Sequence, residues 1–308
     1  MNRGRLDRRP RCLPLPAPAG QHEPLLRRAS RAGGILARVS RTSPEYRNDY
    51  PAGELVSPPL GRSGARFAQL GVLLFNLIFW PYLIVSSALL FGPALVMYAC
   101  VHPKQRRTRW IHAYTSFWAS HYLRFAPCAG LSISGRERVP RGKSVIFVSN
   151  HKSMVDILAV FGTYLPFLWV SKRENFYVPF IGWNMVVNHY VPLKRGHLPS
   201  IMRMVRTCLR RLGEGHNLFV FPEGTRSADG ELGPFFPGAF RLAVRNRVPI
   251  VPMVLEGTDR VLPKKRLFIT PHPVQIEVLP PVFPGDFDYD WKRLRDGVRE
   301  RMLEAQRH

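Results

Sequence analysis

His151 and Asp156 lie in a stretch, SNHKSMVD over residues 149–156, whose side chains could do acid–base chemistry. In a regular helix, residues five apart lie about 140° from each other, so the two can meet only if His151 lies in the turn before a helix. If that helix begins near Ser153, Asp156 falls in its first turn, where a carboxylate is favoured and can reach back to an imidazole nitrogen. The other nitrogen would then be available to remove a proton from a hydroxyl group. The alternative for this spacing is an exposed turn histidine followed by a capping acid.

A second stretch, FPEGTRS over residues 221–227, carries groups that could hold an anion. Gly224 permits close approach of backbone N–H groups, and Thr225 and Ser227 offer hydroxyls. Arg226 offers a planar guanidinium that can bind two oxygens of one phosphate. The alternative for this stretch is a turn with an exposed arginine.

Beyond residue 130, short apolar runs alternate with amphipathic stretches, which predicts an α/β fold: a mixed, largely parallel sheet flanked by helices. Both chemical stretches directly follow a predicted strand, and strand ends are where α/β folds usually bind ligands. The predicted helices cover residues 155–164, 200–212, 240–247 and 290–304. The predicted strands cover residues 131–135, 145–149, 167–171, 190–192, 218–221, 250–255 and 274–279.

Several common catalytic motifs are absent from the sequence: GxSxG, GxxxxGK, HExxH and GxGxxG. Serine hydrolase, P-loop NTPase, zincin and Rossmann interpretations therefore have no support. The four cysteines are far apart and form no CxxC pair, which argues against a disulfide framework and a cysteine zinc site. They are Cys12, Cys100, Cys128 and Cys208. We expect a reducing compartment, no metal and no cofactor.

The chain is strongly basic, with 45 Lys and Arg against 21 Asp and Glu and a net charge of +24. This balance implies an anionic partner such as nucleic acid, phospholipid headgroups or phosphorylated substrates. The basic and aromatic patterning of nucleic-acid platforms is missing, which disfavours nucleic acid. A non-catalytic protein that binds anionic membranes or nucleic acid is the alternative from a different class.

Charge position divides the chain into three parts. Residues 1–66 hold 13 Arg and 5 acidic residues and are rich in Pro and Gly, which predicts a disordered basic arm. Residues 67–103 contain no Asp, Glu, Lys or Arg and are long enough to meet a membrane. Because Pro81 and Pro93 interrupt this segment and basic residues flank it, we expect a membrane-embedded helical hairpin or a bent span. Residues 104–308 form the third part, a domain whose motif core covers about residues 130–260.

Taken together, His151, Asp156 and the FPEGTRS stretch resemble the glycerolipid acyltransferase family, particularly the 1-acyl-sn-glycerol-3-phosphate (lysophosphatidate) acyltransferases. Two further stretches support the resemblance and follow in the family's order: residues 172–195, from KRE through PFIGW to VPLKR, and residues 248–253, VPIVPM. The resemblance covers about residues 130–260 and extends to the apolar segment. Residues 1–66 match nothing associated with the family.

This resemblance implies a role for each candidate residue. His151 would be the general base and Asp156 would orient it. The residues implied to bind the glycerol-phosphate part of the acceptor are Glu223, Gly224, Thr225 and Arg226, with Arg195 and Lys172 adding positive charge. An acyl thioester is already activated, so the enzyme mainly needs to deprotonate an alcohol, hold a phosphate and stabilise an oxyanion. Backbone N–H groups near Lys152 and Ser153 are the candidate oxyanion site.

The reaction that the resemblance implies moves a fatty acyl group from acyl-CoA or acyl-ACP to the sn-2 hydroxyl of 1-acyl-sn-glycerol-3-phosphate, giving phosphatidate. Glycerol-3-phosphate or another lysolipid is the alternative acceptor. The expected partners are membrane phospholipid, lysophosphatidate and acyl-CoA or acyl carrier protein, without nucleic acid. The expected location is the membrane, and in a bacterium the inner membrane with the catalytic domain facing the cytoplasm.

Overall fold

The computed structural model of the chain describes residues 62–101, 104–125, 130–227 and 230–307. The predicted basic arm over residues 1–66 lies outside these ranges, apart from its last five residues, which begin the first helix. Cys12 and Cys128 also lie outside them. Cys100 and Cys208 are free thiols.

Strands in the described ranges are β1 (Leu131–Ser134), β2 (Ile146–Ser149), β3 (Leu168–Lys172), β4 (Val191–Leu193), β5 (Leu218–Val220), β6 (Ile250–Glu256) and β7 (Val274–Val278). These seven form one sheet in the order β1-β7-β6-β2-β5-β3-β4. Each agrees with a predicted strand to within one residue at either end.

The sheet is mixed and largely parallel, as predicted. Every neighbouring pair is parallel except β6 and β7, which are antiparallel. Strands β6, β2, β5, β3 and β4 therefore share one direction, and their carboxyl ends meet at one edge of the sheet, here called the carboxyl edge. The loops after β2 and β5 are neighbours at that edge.

The helices of the described ranges are α1 (Arg62–Cys100), α2 (Lys104–Phe125), α3 (Val155–Gly162), α4 (Ile181–Val187), α5 (Leu198–Gly213), α6 (Gly238–Asn246), α7 (Thr258–Val261) and α8 (Trp291–Ala305). The four predicted helices correspond to α3, α5, α6 and α8, with ends that agree to within two residues. The sequence pattern did not predict α2, α4 or α7 as separate helices.

Helices cover both faces of the sheet. The connection from β3 through α4 to β4 and the connection from β4 through α5 to β5 run in opposite directions across the sheet. Right-handed crossovers therefore place α4 and α5 on opposite faces. The packing agrees, because α1 contacts α2 and α4 and α2 contacts α3, whereas α5 contacts α6 and α6 contacts α8.

The centre of the sheet is buried on both faces. All four residues of β2 and six of the seven residues of β6 are buried. Strands that are apolar throughout, without alternation, are typical of a sheet covered by helices on both sides. Burial of each large apolar side chain contributes about 1.5–3 kcal/mol, so this centre is a firm support for the loops at the carboxyl edge.

The apolar segment forms one continuous helix, α1, with Pro81 and Pro93 inside it. The expectation of a hairpin that turns within this segment is therefore wrong. A proline removes one helical hydrogen bond and favours a kink, but a helix packed against a neighbour can continue past it.

A helical hairpin does exist, but α1 and α2 form it together. Tyr82 contacts His121 at 3.1 Å, the Ser86 hydroxyl lies 2.9 Å from that of Tyr122, and the Tyr114 hydroxyl donates to the Leu90 carbonyl at 2.9 Å. The contacts near the start of this stretch of α1 are made with the end of α2, and the contact further along α1, at Leu90, is made nearer the start of α2, at Tyr114. The two helices are therefore antiparallel.

Among the described residues, α1 is the one helix long and apolar enough, by length and composition, to cross a membrane, over Gln69–Cys100. Part of it is tied to the domain: the Asn76 amide bonds with both the carbonyl and the N–H of Ile269, at 2.9 and 2.7 Å. The rest presents exposed apolar side chains, among them Leu73, Leu77, Ile78, Ile84, Val85 and Leu89. A continuous exposed surface of this kind indicates contact with lipid or with another protein.

Candidate active site

The imidazole of His151 and the carboxylate of Asp156 are in direct contact, with Nδ1 and Oδ2 2.8 Å apart. His151 lies in the turn after β2, and Asp156 lies in the first turn of α3, as the spacing predicts. The Asp156 side chain is completely buried, while the His151 side chain retains 13% of its exposure. A carboxylate can only accept, so Nδ1 carries the hydrogen and Nε2 has its lone pair free for a proton.

The aromatic ring of Phe221 stacks on the imidazole of His151, with ring centroids 3.9 Å apart and an angle of 11° between the planes. Phe221 is the first residue after β5, so the neighbouring strand covers one face of the base. This contact and the bond to Asp156 fix the direction in which Nε2 points. A fixed and half-shielded imidazole is suited to act as a general base.

Asp156 also fixes the turn that carries His151. Its Oδ2 accepts the backbone N–H groups of Lys152 at 2.7 Å and Ser153 at 2.8 Å. These are the groups expected to form an oxyanion site, and that expectation is wrong because both already donate to the carboxylate. They instead hold in place the turn that precedes α3.

Glu223 joins the two loops through its buried carboxylate. Oε1 accepts the backbone N–H of His151 at 2.9 Å, and Oε2 accepts the N–H of Gly233 at 3.1 Å. Burial raises the pKa of Glu223, and these two hydrogen bonds partly oppose that shift. Each oxygen is thus engaged with the backbone, so the contacts of Glu223 position His151. A carboxylate would also repel a phosphate group.

A second backbone link lies beside the first, where the N–H of Ser227 donates to the carbonyl of His151 at 2.7 Å. The carbonyl of Arg226 accepts from the Lys264 ammonium group at 2.6 Å and from the Thr225 hydroxyl at 3.2 Å. No hydrogen bond or ion pair joins the Arg226 guanidinium to another described residue. A guanidinium has five N–H donors that can bind an anion, so the anion-binding role of this loop stays a prediction that the geometry permits.

Gly224 brings Arg195 against the same loop. Its φ of +72° favours glycine, and a Cβ at this position would lie 2.9 Å from the ring of Phe236 and 3.7 Å from Cζ of Arg195. Arg195 follows β4, and its side chain is exposed. Two guanidinium groups, those of Arg226 and Arg195, therefore extend from adjoining parts of the carboxyl edge.

Lys172 stands apart from this group. It ends β3, and its ammonium group lies 3.8 Å from a carboxylate oxygen of Glu174, with both side chains about half exposed. Five of the other predicted site residues lie on the loops after β2 and β5, Asp156 lies in the first turn of α3, and Arg195 lies against Gly224. No hydrogen bond or ion pair joins Lys172 to these seven among the described residues.

Comparison with known proteins agrees with this geometry. A family model described as Acyltransferase matches residues 130–256. The chloroplastic 1-acyl-sn-glycerol-3-phosphate acyltransferase BAT2 of Brassica napus is 34% identical over 198 residues, 64% of this chain and 57% of that protein. The human 1-acyl-sn-glycerol-3-phosphate acyltransferase alpha is 34% identical over 181 residues, 56% of this chain and 62% of that protein. The crystal structure of the 1-acyl-sn-glycerophosphate acyltransferase PlsC from Thermotoga maritima is 26% identical, with a TM-score of 0.69, and the match covers 77% of this chain and 95% of that one.

Residues 130–256 therefore form a domain of the acyltransferase family. The chain spans little more than half the length of the first curated relatives it matches, at 57% and 55% of their residues.

The candidate active site includes a residue that the sequence analysis missed. The buried side-chain amide of Asn150 donates to the carbonyl of Leu255 and accepts its N–H, both at 2.8 Å. These two hydrogen bonds continue the pairing of β2 with β6 one residue past the end of β2. They fix the position of Asn150, the residue just before His151. A polar residue at the end of an apolar strand was the only signal for it, and its partner lies 105 positions away.

The large cavity of the acyltransferase domain lies at the other edge of the sheet. Its volume is about 860 Å³, and it is lined by the segments that precede β2, β3 and β5 and by the start of α2. The length of β2 separates it from His151, so this cavity is distinct from the candidate active site.

Proposed function

We propose that this acyltransferase moves a fatty acyl group from a thioester, acyl-CoA or acyl carrier protein, to the sn-2 hydroxyl of 1-acyl-sn-glycerol-3-phosphate. The observation that carries the proposal is the junction of two loops: one presents the base His151, and the other presents the guanidinium of Arg226, which has no hydrogen-bond or ion-pair partner among the described residues. The names of the similar proteins from Brassica napus, human and Thermotoga maritima support the same reaction.

His151 begins the proposed reaction. Its Nε2 takes the proton of the sn-2 hydroxyl while the alcohol oxygen attacks the thioester carbonyl carbon. The C–S bond then breaks, and the thiolate receives a proton from the imidazolium. Asp156, buried against Nδ1, stabilises the positive charge that His151 carries between these steps. No side-chain nucleophile and no metal is needed.

The guanidinium groups of Arg226 and Arg195 bind the phosphate of the acceptor in this proposal. Both extend from the carboxyl edge, and planar guanidinium groups match the oxygens of a phosphate. Holding the phosphate places the hydroxyl, a few bonds away on the same glycerol, against the base.

Lipid substrates also give α1 a role. The acceptor and the product both reside in a bilayer, so we propose that the exposed apolar side of α1 associates with the membrane. Basic residues flank the helix in the sequence, Arg62 and Arg66 before it and Lys104 and Arg106 after it, and this pattern favours the cytoplasmic side.

The test is acyl transfer by purified membranes that contain the full chain, with a panel of acceptors. Lysophosphatidate should be preferred over glycerol-3-phosphate and over lysolipids without a free phosphate monoester. A strong preference for an acceptor without phosphate would contradict the role of Arg226. Complementation of a strain that lacks lysophosphatidate acylation, by the full chain but not by His151→Ala, tests the same activity in cells. A version that starts near Gly61 tests whether the first part of the chain is needed.

A further inference from the structure

The segment between β3 and β4 exposes an unusual amount of apolar surface. Within residues 177–186, five large apolar side chains are between 42% and 64% exposed. They are Tyr177, Val178, Ile181, Trp183 and Val186. Single exposed apolar residues are common on soluble proteins, but a cluster in ten consecutive residues marks a contact surface.

This surface continues that of α1. The ring of Phe91 in α1 lies 6.3 Å from that of Phe180 and 5.8 Å from that of Trp183, measured between centroids. Further along α1, Tyr98 contacts His189 in the same way at 6.0 Å. The exposed apolar side chains of α1 near Phe91 therefore border those of α4, without a polar boundary between the two helices.

The chemistry at the end of this surface is typical of a lipid interface. Arg173 donates from Nε to the hydroxyl of Tyr177 at 2.9 Å, and its guanidinium lies 5.9 Å from the ring centre. Tyrosine and tryptophan beside arginine or lysine are the composition found at the level of lipid headgroups. Lys172, half exposed, precedes this arginine. A purely protein-binding apolar patch does not need this basic rim.

We propose that residues 177–186 form a second membrane-contacting element, which rests in the headgroup and upper acyl region of one leaflet beside α1. The inference rests on the proposed function in so far as the substrates are lipids. The segment begins at Tyr177, one short 3-10 helix (Arg173–Tyr177) after the carboxyl end of β3, so it lies on the side of the sheet edge that carries His151. A lysolipid could thus move from the leaflet to the base along residues 177–181 without crossing bulk water. The occupant of this surface is phospholipid.

A depth measurement tests the contact without using activity. The full chain is added to vesicles whose acyl chains carry bromine, which quenches tryptophan fluorescence only at short range. Trp183→Phe should remove a measurable share of the quenchable fluorescence. Trp291→Phe, on α8 at the other face of the sheet, should leave the quenched signal unchanged. If Trp183→Phe and Trp291→Phe give the same quenching as the unmodified chain, the proposal is overturned.

A pair of double variants tests the consequence for catalysis. Ile181→Asp with Val186→Asp places two carboxylates on the proposed contact surface, and Leu198→Asp with Met202→Asp places two on the exposed face of α5, on the opposite side of the sheet. The α4 pair should lower acyl transfer to vesicle-embedded lysophosphatidate by about tenfold or more, because each carboxylate must leave water. Transfer to a monomeric short-chain acceptor should stay within about twofold, and the α5 pair should change neither rate.

The outcomes separate this inference from the proposed function. An equal loss on both acceptors would contradict a membrane role for α4, and the circular dichroism and melting temperature of the variant show whether the loss is one of folding. A second copy of the chain would be the occupant if light scattering showed a dimer that the α4 pair disrupts while vesicle binding is unchanged, which also overturns the proposal. Quenching of Trp183 in a chain that acylates no lysolipid would instead refute the proposed function alone.

Discussion

One oxygen atom of Asp156 accepts three hydrogen bonds, from Nδ1 of His151 and from the N–H groups of Lys152 and Ser153. Its other oxygen, Oδ1, is buried and has no hydrogen-bond partner among the described residues. The negative charge is therefore concentrated on the turn that holds the base. Oδ2 of Asp156 both holds the backbone turn and carries the negative charge next to the imidazole. A substitution that keeps the hydrogen-bond acceptor but removes the charge separates these two roles.

We predict that His151→Ala lowers acyl transfer by about 10²–10⁴-fold, the usual contribution of a general base, and leaves vesicle binding intact. Asp156→Asn should cause a loss of similar order, because an amide oxygen can still accept the N–H groups but no longer stabilises the imidazolium. Single-turnover rates with saturating acceptor measure both. Turnover at the unmodified rate in His151→Ala would refute the assignment of the base.

Glu223 gives a different prediction from the role first implied for it. Since its oxygens hold the N–H groups of His151 and Gly233, Glu223→Gln should turn an amide NH₂ toward one of these donors and lower stability by about 1–3 kcal/mol. The rate constant kcat should fall more than the KM for the acceptor changes, because the base is displaced. A rise in acceptor KM with kcat unchanged would instead restore Glu223 as a binding residue.

Site contacts between residues close together in the sequence could be predicted, and contacts between distant residues could not. His151 and Asp156 were predictable because a turn and one helical turn join them. The use of Glu223 was not, because one partner, His151, lies 72 positions away on the loop after β2, and the other, Gly233, lies ten positions further along the same loop as Glu223. The residue types in FPEGTRS indicate an anion site, but whether each side chain faces a ligand or the backbone depends on which loop lies next to it.

At the scale of elements, α2 is anchored to the sheet through the buried imidazole of His112. Its Nε2 lies 2.9 Å from the carbonyl of Leu165 and its Nδ1 lies 3.1 Å from the hydroxyl of Tyr190. A carbonyl can only accept, so Nε2 carries the hydrogen and Nδ1 accepts from the tyrosine. Burial lowers the pKa of His112 to about 4, against a smaller opposing effect of the hydrogen bond to Leu165.

This shift predicts how stability depends on pH. The unfolded histidine titrates near 6.5, so between pH 6.5 and about 4 the unfolded chain binds a proton that the folded chain does not. The contribution of His112 is therefore full above pH 6.5 and is lost as the pH falls, by up to about 1.4 kcal/mol per pH unit. Urea denaturation should show a flatter dependence over this range for His112→Gln. An unchanged slope would contradict the assignment.

Two of the helices that the sequence pattern did not predict, α2 and α4, make polar contacts with each other inside the protein. On α2, Thr115 is buried and bonds with the amides of Asn184 and Asn188, which lie in and just after α4. These polar side chains interrupt the apolar stripe by which an amphipathic helix is recognised. The strands were predictable because they are short, bounded by turn residues and either mainly apolar, as β2 and β6 are, or alternating, as β1 and β7 are. Pro81 and Pro93 led to the opposite error, a break that was predicted and is not found. The packing of α1 along α2 outweighs the local tendency of proline to end a helix.

At the scale of the whole molecule, the net charge of +24 and the exposed side of α1 predict two separable contributions to vesicle binding. Binding to anionic vesicles should weaken as salt rises from 0.1 to 1 M, because the screening length falls from about 10 to about 3 Å. Binding to neutral vesicles should persist, because apolar insertion is not screened. Sedimentation with the two vesicle types measures this, and complete release from neutral vesicles at high salt would contradict the role of α1.

The bonds between Asn76 and Ile269 join residues 193 positions apart. During synthesis at about 5–20 residues per second, α1 leaves the ribosome some 10–40 s before the segment that anchors it exists. For that interval the one described helix that is apolar enough to cross a membrane lacks its contact with Ile269, although α2, the next helix along the chain, is made within a few seconds of it. The newborn chain therefore carries an exposed apolar helix until Ile269 is made, and a lipid surface or a chaperone would cover it during that time.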